Sequence, residues 1–106
     1  MAEMILSEYD IGDFETITVA DTAIGFTAAK LKPTTGDFEG MKAVEAFFTV
    51  ETAQARFRCD GTDPTSTVGH LLSSGDNVTI IGKNNVDKFK AIRVSASATI
   101  QVSYRY

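Results

Sequence analysis

The sequence predicts an all-β fold, a single antiparallel β-sandwich with Greek-key or jelly-roll connections. Seven or eight short segments alternate apolar and polar residues, and turn residues separate these segments at short intervals. Almost no segment has helical periodicity. A chain of 106 residues has the size of one common domain, so we expect residues 1–106 to form one sandwich.

The first predicted supersecondary element is a hairpin. Met1–Asp10 carries an apolar patch that leaves two interpretations open. One is an N-terminal edge strand or ordered tail, and the other is a turn of helix or an arm that lies on a neighbouring molecule. Asp13–Ala20 alternates and is rich in β-branched residues, which favours a strand. Ala23–Ala29 resumes extended structure after a short turn at Asp21-Thr22, so the two segments together predict a hairpin.

The middle of the first half is less clearly patterned. Lys30–Gly40 contains Pro33 and Gly36 and predicts a loop. The first half of Met41–Glu51 is compatible with a helix, but the alternation of the whole segment favours one long strand. Thr52–Gln54 then predicts a tight connection.

The rare residues of the chain collect in Ala55–Asp76, which includes its only cysteine and only histidine. Ala55–Cys59 alternates cleanly and predicts a half-buried strand. Cys59 falls on the apolar face, where a free cysteine behaves as a small hydrophobe. The sequence therefore predicts a core role for Cys59 rather than a reactive thiol.

A dense turn follows this strand. We expect the whole segment Ala55–Asp76 to be a structural clamp that joins the two sheets. The predicted turn residues of the clamp are Asp60, Gly61, Thr62, Asp63 and Pro64. Asp63 before Pro64 predicts a helix N-terminus, so we expect one or two helical turns over Thr65–Leu72. We expect His70 to hydrogen-bond the Asp60–Thr65 turn and to fix the shape of the loop.

The last third of the chain predicts three more strands. Asn77–Ile81, Lys88–Val94 and Ala98–Tyr106 all have strand patterns, and Gly82–Asp87 predicts a turn. We expect Ala98–Tyr106 to be a terminal edge strand, whose unpaired backbone groups favour self-association.

The residues give little support to catalysis or metal binding. His70 is the only histidine, so a multi-histidine metal site is excluded. A nucleophilic pair of His70 with Cys59 or a serine is compatible with the spacing but not with a core position for Cys59. We predict no enzymatic activity and no cofactor.

Acidic residues near the turns offer two further sites. Asp60, Asp63 and Asp76 could supply the paired carboxylates of a glycosidase, and Asp60, Thr62 and Asp63 could supply oxygen ligands for calcium. Aspartate is common at turns for backbone reasons alone, and the glutamate and glycine pattern of a known calcium loop is absent. We therefore favour the turn role.

Composition limits the partners. The net charge is −4 and the pI about 4.8, so we expect no nucleic-acid binding. The candidates for a local basic patch are Arg56, Arg58, Lys88, Lys90 and Arg93. Neither a secretory signal nor a membrane-spanning run is visible, so we expect a location in a virion or in the host cytoplasm.

The segment RFRCDGTDPT at 56–65, followed by VGHLL at 68–72 and Gly75-Asp76, resembles small bacteriophage virion proteins. In these a strand ends in a DGT-x-PT turn, and a G-H-x-L stretch and a GD pair precede the next strand. The later F-x-A-I-R strand at Phe89–Arg93 also fits. The resemblance covers the second half of the chain and implies a small β-sandwich that works as a capsid-decorating, head–tail or tail-associated subunit.

The turn alone also resembles the fibronectin-like modules attached to chitinolytic and other carbohydrate enzymes. Those modules usually carry an aromatic residue where this chain has Cys59. This resemblance implies a carbohydrate-binding accessory module.

The sequence leaves three candidate functions open. The first is a non-enzymatic structural protein that contacts copies of itself or other virion proteins. The second is a carbohydrate- or other ligand-binding sandwich, which predicts an exposed aromatic strip at Tyr104 and Tyr106. The third is a small enzyme, which requires His70 in a cleft beside an acid or nucleophile.

Overall fold

The computed structural model describes residues 11–106, and this part of the chain contains seven β-strands and two short helices. The strands are β1 (Ile11–Val19), β2 (Glu45–Glu51), β3 (Ala55–Arg58), β4 (His70–Leu72), β5 (Asn77–Ile81), β6 (Lys90–Arg93) and β7 (Ala98–Arg105). The helices are α1 (Ala28–Leu31) and α2 (Lys83–Lys88). The two interpretations of Met1–Asp10 lie outside the described residues.

The strands form two antiparallel sheets. The large sheet has the order β1-β7-β2-β5, and the small sheet has the order β4-β3-β6. In the large sheet Ile17 of β1 lies opposite Ile100 of β7, which lies opposite Val50 of β2. All three side chains are buried. The predicted all-β sandwich is confirmed.

Both sheets contribute to one hydrophobic core. Strand alternation directs every second side chain inward, as in β7, where Ile100, Val102 and Tyr104 are buried. Phe89, just before β6, stacks on Phe26 with ring centroids 4.2 Å apart and meets Phe48 of β2 edge-on at 5.3 Å. Burial of one such ring stabilises the fold by about 1.5–3 kcal/mol. These rings join the two sheets.

The predicted hairpin over the first strands is wrong. β1 forms as predicted, but the chain after it does not return beside β1; Ile24 instead forms an isolated bridge with Ala91 of β6. A tight hairpin turn usually needs glycine or asparagine at positive φ, and Asp21-Thr22 supplies neither. Crossing to the small sheet also places Phe26 in the core. The partner of β1 is β7.

Two local predictions are also corrected by the hydrogen-bond pattern. Residues 65–72 form no helix: a turn spans 65–68, and His70–Leu72 is strand β4, paired with β3. Conversely, Gly82–Asp87 is not a simple turn, because residues 83–88 form helix α2, which buries Val86 completely. In both places the pairing partner or the buried side chain decides the conformation, and neither is visible in local turn residues.

The last strand is not an edge. β7 lies between β1 and β2 and pairs with both along nearly its whole length. The edges of the large sheet are β1 and β5. The prediction of unpaired backbone groups on Ala98–Tyr106 is therefore wrong, because β7 is hydrogen-bonded to a neighbouring strand on each side.

Candidate functional site

Arg56 organises the loop between β3 and β4, within the segment Ala55–Asp76. β3 and β4 form an antiparallel pair, and residues 59–69 connect them. The Arg56 guanidinium donates from Nε to the carbonyl of Ser66 at 3.1 Å and from a terminal nitrogen to the carbonyl of Gly69 at 2.9 Å. A planar fork of donors suits two carbonyls that point the same way. Gly69 has φ 138°, and an added Cβ would lie 3.2 Å from the Pro64 side chain.

The role expected of His70 belongs to Arg56. His70 is exposed and makes no hydrogen bond to the Asp60–Thr65 turn within residues 11–106. Its ring instead lies over Phe57, with centroids 5.4 Å apart and a tilt of 45°. The cross-strand pairing of Phe57 with His70 produces this contact. The sequence did not predict this role of Arg56, because a basic residue on the polar side of a strand is expected to point into solvent.

The other predicted clamp residues order the start of the loop. The Asp60 carboxylate accepts from Arg58 Nε at 3.1 Å and from the Thr62 amide at 3.2 Å. Arg58 is the main cause that holds the pKa of Asp60 below its usual value. Gly61 adopts φ 87°, a conformation that glycine takes readily. Pro64 is buried, and Asp63 is exposed.

Cys59 packs against the core from a half-buried position. Burial, and to a lesser degree the nearby Asp60 charge, raises the pKa of the Cys59 thiol. A raised pKa leaves little nucleophilic thiolate at neutral pH. Cys59 and His70 do not form a catalytic pair by any hydrogen bond in the described part of the chain.

The end of the segment Ala55–Asp76 connects the two sheets, as the predicted clamp requires. Leu72 closes β4 in the small sheet, and Asn77 begins β5 in the large sheet. The intervening turn is bonded at both ends: the Gly75 amide donates to the Val50 carbonyl of β2, and the Ser73 amide donates to the Asp76 carboxylate at 2.8 Å. Asp76 thus has the turn role that its position predicts.

Tyr104 and Tyr106 do not form an exposed aromatic strip. Tyr104 is completely buried, and its hydroxyl donates to the Glu15 carboxylate of β1, which also accepts from Thr27. Burial above all, and then the bond to Glu15, raises the pKa of Tyr104 far above its usual value. The alternation of β7 puts Tyr104 on the same face as Ile100, so a central position for β7 carries it into the core.

Tyr106 is half-buried at the open end of the sandwich. Its hydroxyl donates to the Lys30 carbonyl, and its ring stacks on Phe38 with centroids 5.0 Å apart. Lys30 also forms an ion pair with Asp13 at 3.0 Å, which lowers the pKa of Asp13. Burial raises the pKa of Tyr106 to about 12. A Cβ on Gly12 would lie 2.6 Å from the Tyr106 ring, so Gly12 and Tyr106 are tightly packed. We call Gly12, Phe38 and Tyr106 the rim; they pack on one another and do not form an exposed platform for a ligand.

The described residues offer two open pockets but no cluster for a metal ion. Among residues 11–106, no group of three or more His, Cys, Asp and Glu is arranged to hold a metal ion. An open cavity among these residues has a volume of about 420 Å³. Its lining residues are Asp21, Thr65, Ser66, Ile92, Arg93, Val94 and Ser95. A smaller open pocket of about 170 Å³ lies near Phe38 at the rim.

The outer face of the large sheet, which we call the large face, has a polar half and an apolar half. In the polar half, Thr16 donates to Gln101 at 2.6 Å and Gln101 donates to Glu51 at 3.1 Å, so three strands are linked. The apolar half contains the exposed Ile11, Phe14 and Ile81 and the half-buried Phe47. The Arg105–Glu45 ion pair lies in the same half, between Ile11 and Ile81. Strand register places Phe14 and Phe47 in one row across the sheet, on either side of Ser103. Sequence reasoning noted Phe14 only as part of an alternating strand, although a phenylalanine that alternates with threonines was the available signal.

The outer face of the small sheet, which we call the small face, is basic and apolar. Arg56 lies between Leu71 and Ile92 in one row across the three strands, and Arg58 lies beside Lys90 in the next. Leu71 is 48% exposed. Both outer faces thus leave large apolar side chains in contact with solvent.

Comparisons with known proteins add no relative: no family model matches the chain, and neither a curated protein nor a solved structure matches it. Within residues 11–106, every helix is too short to cross a membrane.

Proposed function

We propose that this chain is a non-enzymatic structural subunit of a phage-like particle, which works through contacts with copies of itself or with capsid or tail proteins. One observation carries the proposal: the large face exposes Ile11, Phe14 and Ile81 by 47%, 53% and 65% on a single sheet surface. Single exposed apolar residues are ordinary, but several on one face are typical of a protein-protein contact.

The placement of the reactive residues supports the non-enzymatic part of the proposal. Cys59 packs against the core with a raised pKa, Asp60 pairs with Arg58, and His70 lies on a phenylalanine ring. Each of these groups therefore has a structural neighbour that accounts for its position. The resemblance of residues 56–76 to phage virion proteins supports the particle, and with it a location in the virion or, before assembly, in the host cytoplasm.

The particle assignment is tested by mass spectrometry of particles from the source of the chain, purified on a density gradient. We expect peptides of this chain to co-sediment with the capsid proteins in a fixed ratio. Peptides found only in the soluble fraction would contradict the proposal.

Self-association is tested separately by sedimentation velocity of the purified chain over a wide concentration range. We expect the weight-average mass to rise with concentration above that of an 11.4 kDa monomer. A constant monomer mass would exclude contacts between copies and leave only contacts with other particle proteins.

A further inference from the structure

The two sheets of the sandwich carry opposite charge. The three strands of the small sheet contain Arg56, Arg58, Lys90 and Arg93 and no acidic residue. The four strands of the large sheet contain four acidic residues and one basic residue, namely Asp13, Glu15, Glu45, Glu51 and Arg105. A chain with a net charge of −4 therefore keeps one basic side.

This polarity extends to the outward side chains. Alternation with the buried Ala55 and Ala91 turns Arg56, Arg58 and Lys90 outward on the small face. On the large face the outward charges are Glu45 and Glu51, with Arg105 bonded to Glu45 at 2.9 Å. Arg58 is paired with Asp60, so the positive charge of the small face comes from Arg56 and Lys90. Arg105 offsets Glu45 on the large face, which leaves that face slightly negative.

Apolar side chains accompany the charge on both faces. The small face presents Leu71 and, on the neighbouring loop, Val68, which are 48% and 53% exposed. The large face presents Phe14 and Ile81. On the small face Arg56 lies between Leu71 and Ile92. On the large face the Arg105–Glu45 pair lies between Ile11 and Ile81. Each face therefore combines apolar and charged groups.

We propose that copies of this chain associate head to tail, with the small face of one copy on the large face of the next. The inference rests on the proposed function and names the surfaces that would carry it out. Because each copy then keeps one free face of each kind, the contact produces rings or open stacks rather than closed dimers. Contact between two small faces would bring basic residues together, and like charges at an interface oppose binding.

The test uses two variants that each damage one face. Leu71→Ser alters the small face and Phe14→Ser alters the large face; both residues are exposed, so we expect both variants to fold. Met41→Ser is the matched control, because Met41 is 46% exposed but lies in the loop before β2, on neither sheet. Circular dichroism and urea denaturation verify the fold, and Lys90→Glu replaces Leu71→Ser if that variant is unstable.

Sedimentation velocity distinguishes the arrangements. We expect each face variant alone to associate at least ~10-fold more weakly than the natural chain. An equimolar mixture should form a 1:1 complex and nothing larger, since the intact large face of Leu71→Ser meets the intact small face of Phe14→Ser. Added salt should weaken the complex.

Four outcomes overturn the inference. A mixture that stays monomeric excludes the head-to-tail contact. A loss confined to Phe14→Ser indicates two large faces in contact. Association of the natural chain that neither variant changes places the interface elsewhere and leaves the proposed function intact, whereas a strictly monomeric natural chain removes both this inference and self-association.

Discussion

Arg56 shows how one side chain can define a loop that turn residues alone leave open. Its two bonds to the carbonyls of Ser66 and Gly69 hold the far end of the loop against β3. Gly69 fits because its backbone is in a conformation that favours glycine and its Cα approaches Pro64 closely. The loop that contains the DGT-x-PT turn is therefore held by Arg56, a residue of strand β3 that lies outside the turn.

We expect Arg56→Lys to lower the free energy of unfolding by about 1 kcal/mol, because lysine cannot make both bonds with one ammonium group. Arg58→Lys is the control, since Arg58 forms an exposed ion pair with Asp60, and such pairs contribute little. Urea denaturation of both variants measures the difference. Equal stabilities for the two variants would show that the Arg56 bonds do not hold the loop.

Tyr104 makes the stability of the folded protein depend on pH in the alkaline range. Its pKa is raised in the folded protein, so above pH ~10 the unfolded chain loses a proton that the folded chain keeps. Stability is then present below the unfolded pKa and falls as the pH rises, by about 1.4 kcal/mol per pH unit.

We expect Tyr104→Phe to remove that loss between pH 10 and 11 in urea titrations. Tyr106→Phe is the comparison, because the pKa of Tyr106 is about 12 and its contribution ends near that pH. A Tyr104→Phe protein that destabilises with the same alkaline slope as the natural chain would contradict the buried bond to Glu15.

At the scale of elements, α2 is the clearest case of structure decided by one buried side chain. Gly82 and the two asparagines favour a turn, and the sequence predicts one. Six residues form a helix there instead, and that helix places Val86 in the core with no exposure. A single apolar residue in a polar segment is a weak signal before its neighbours are known.

Val86→Ala should therefore destabilise the protein by about 1–3 kcal/mol through lost burial and a residual cavity. Val68→Ala is the matched control, because Val68 is 53% exposed and its truncation should change stability by less than about 0.5 kcal/mol. Urea unfolding at neutral pH compares them. A cost for Val86→Ala no larger than that for Val68→Ala would mean that α2 does not pack on the core.

The strands were more predictable than their partners. β5 matches its predicted bounds because it is rich in β-branched residues. β3 and β7 match to within a residue at the C-terminal end, because both alternate strictly. Alternation fixes which residues share a face but not which strand lies alongside. For this reason the hairpin after β1 was wrong, β7 was taken for an edge, and Tyr104 was taken for a surface residue.

At the scale of the whole molecule, the fold depends on pairs that are distant in the chain. Ile11 of β1 pairs with Arg105 of β7, and the large sheet cannot form before these distant segments meet. Bringing β1 and β7 together closes a loop of most of the chain, which costs conformational entropy before any contact between the strands stabilises it.

We expect refolding from urea in milliseconds to seconds, the range typical of sandwiches with many non-local contacts. Stopped-flow fluorescence of the tyrosines measures the rate. Complete refolding within microseconds would contradict a transition state that needs β1 and β7 together.

The sequence predicted the two-sheet architecture, but the candidate interaction surfaces emerged only once the sheets were assembled. Phe14, Phe47 and Ile81 lie in three separate strands, and register alone brings them onto one face. Likewise, the basic small face requires β3 and β6 to be neighbours. Charge separation between the sheets cannot be seen in a net charge of −4.

The pairing of β1 with β7 also determines how the molecule responds to force. The first residue of β1 lies opposite the last residue of β7, so tension applied between residues 11 and 105 acts perpendicular to both strands. The hydrogen bonds between antiparallel strands then open one after another, like a zipper, instead of sharing the load. A subunit tethered through these two points would peel open at low force, whereas one held through its two flat faces would keep every strand pair in place.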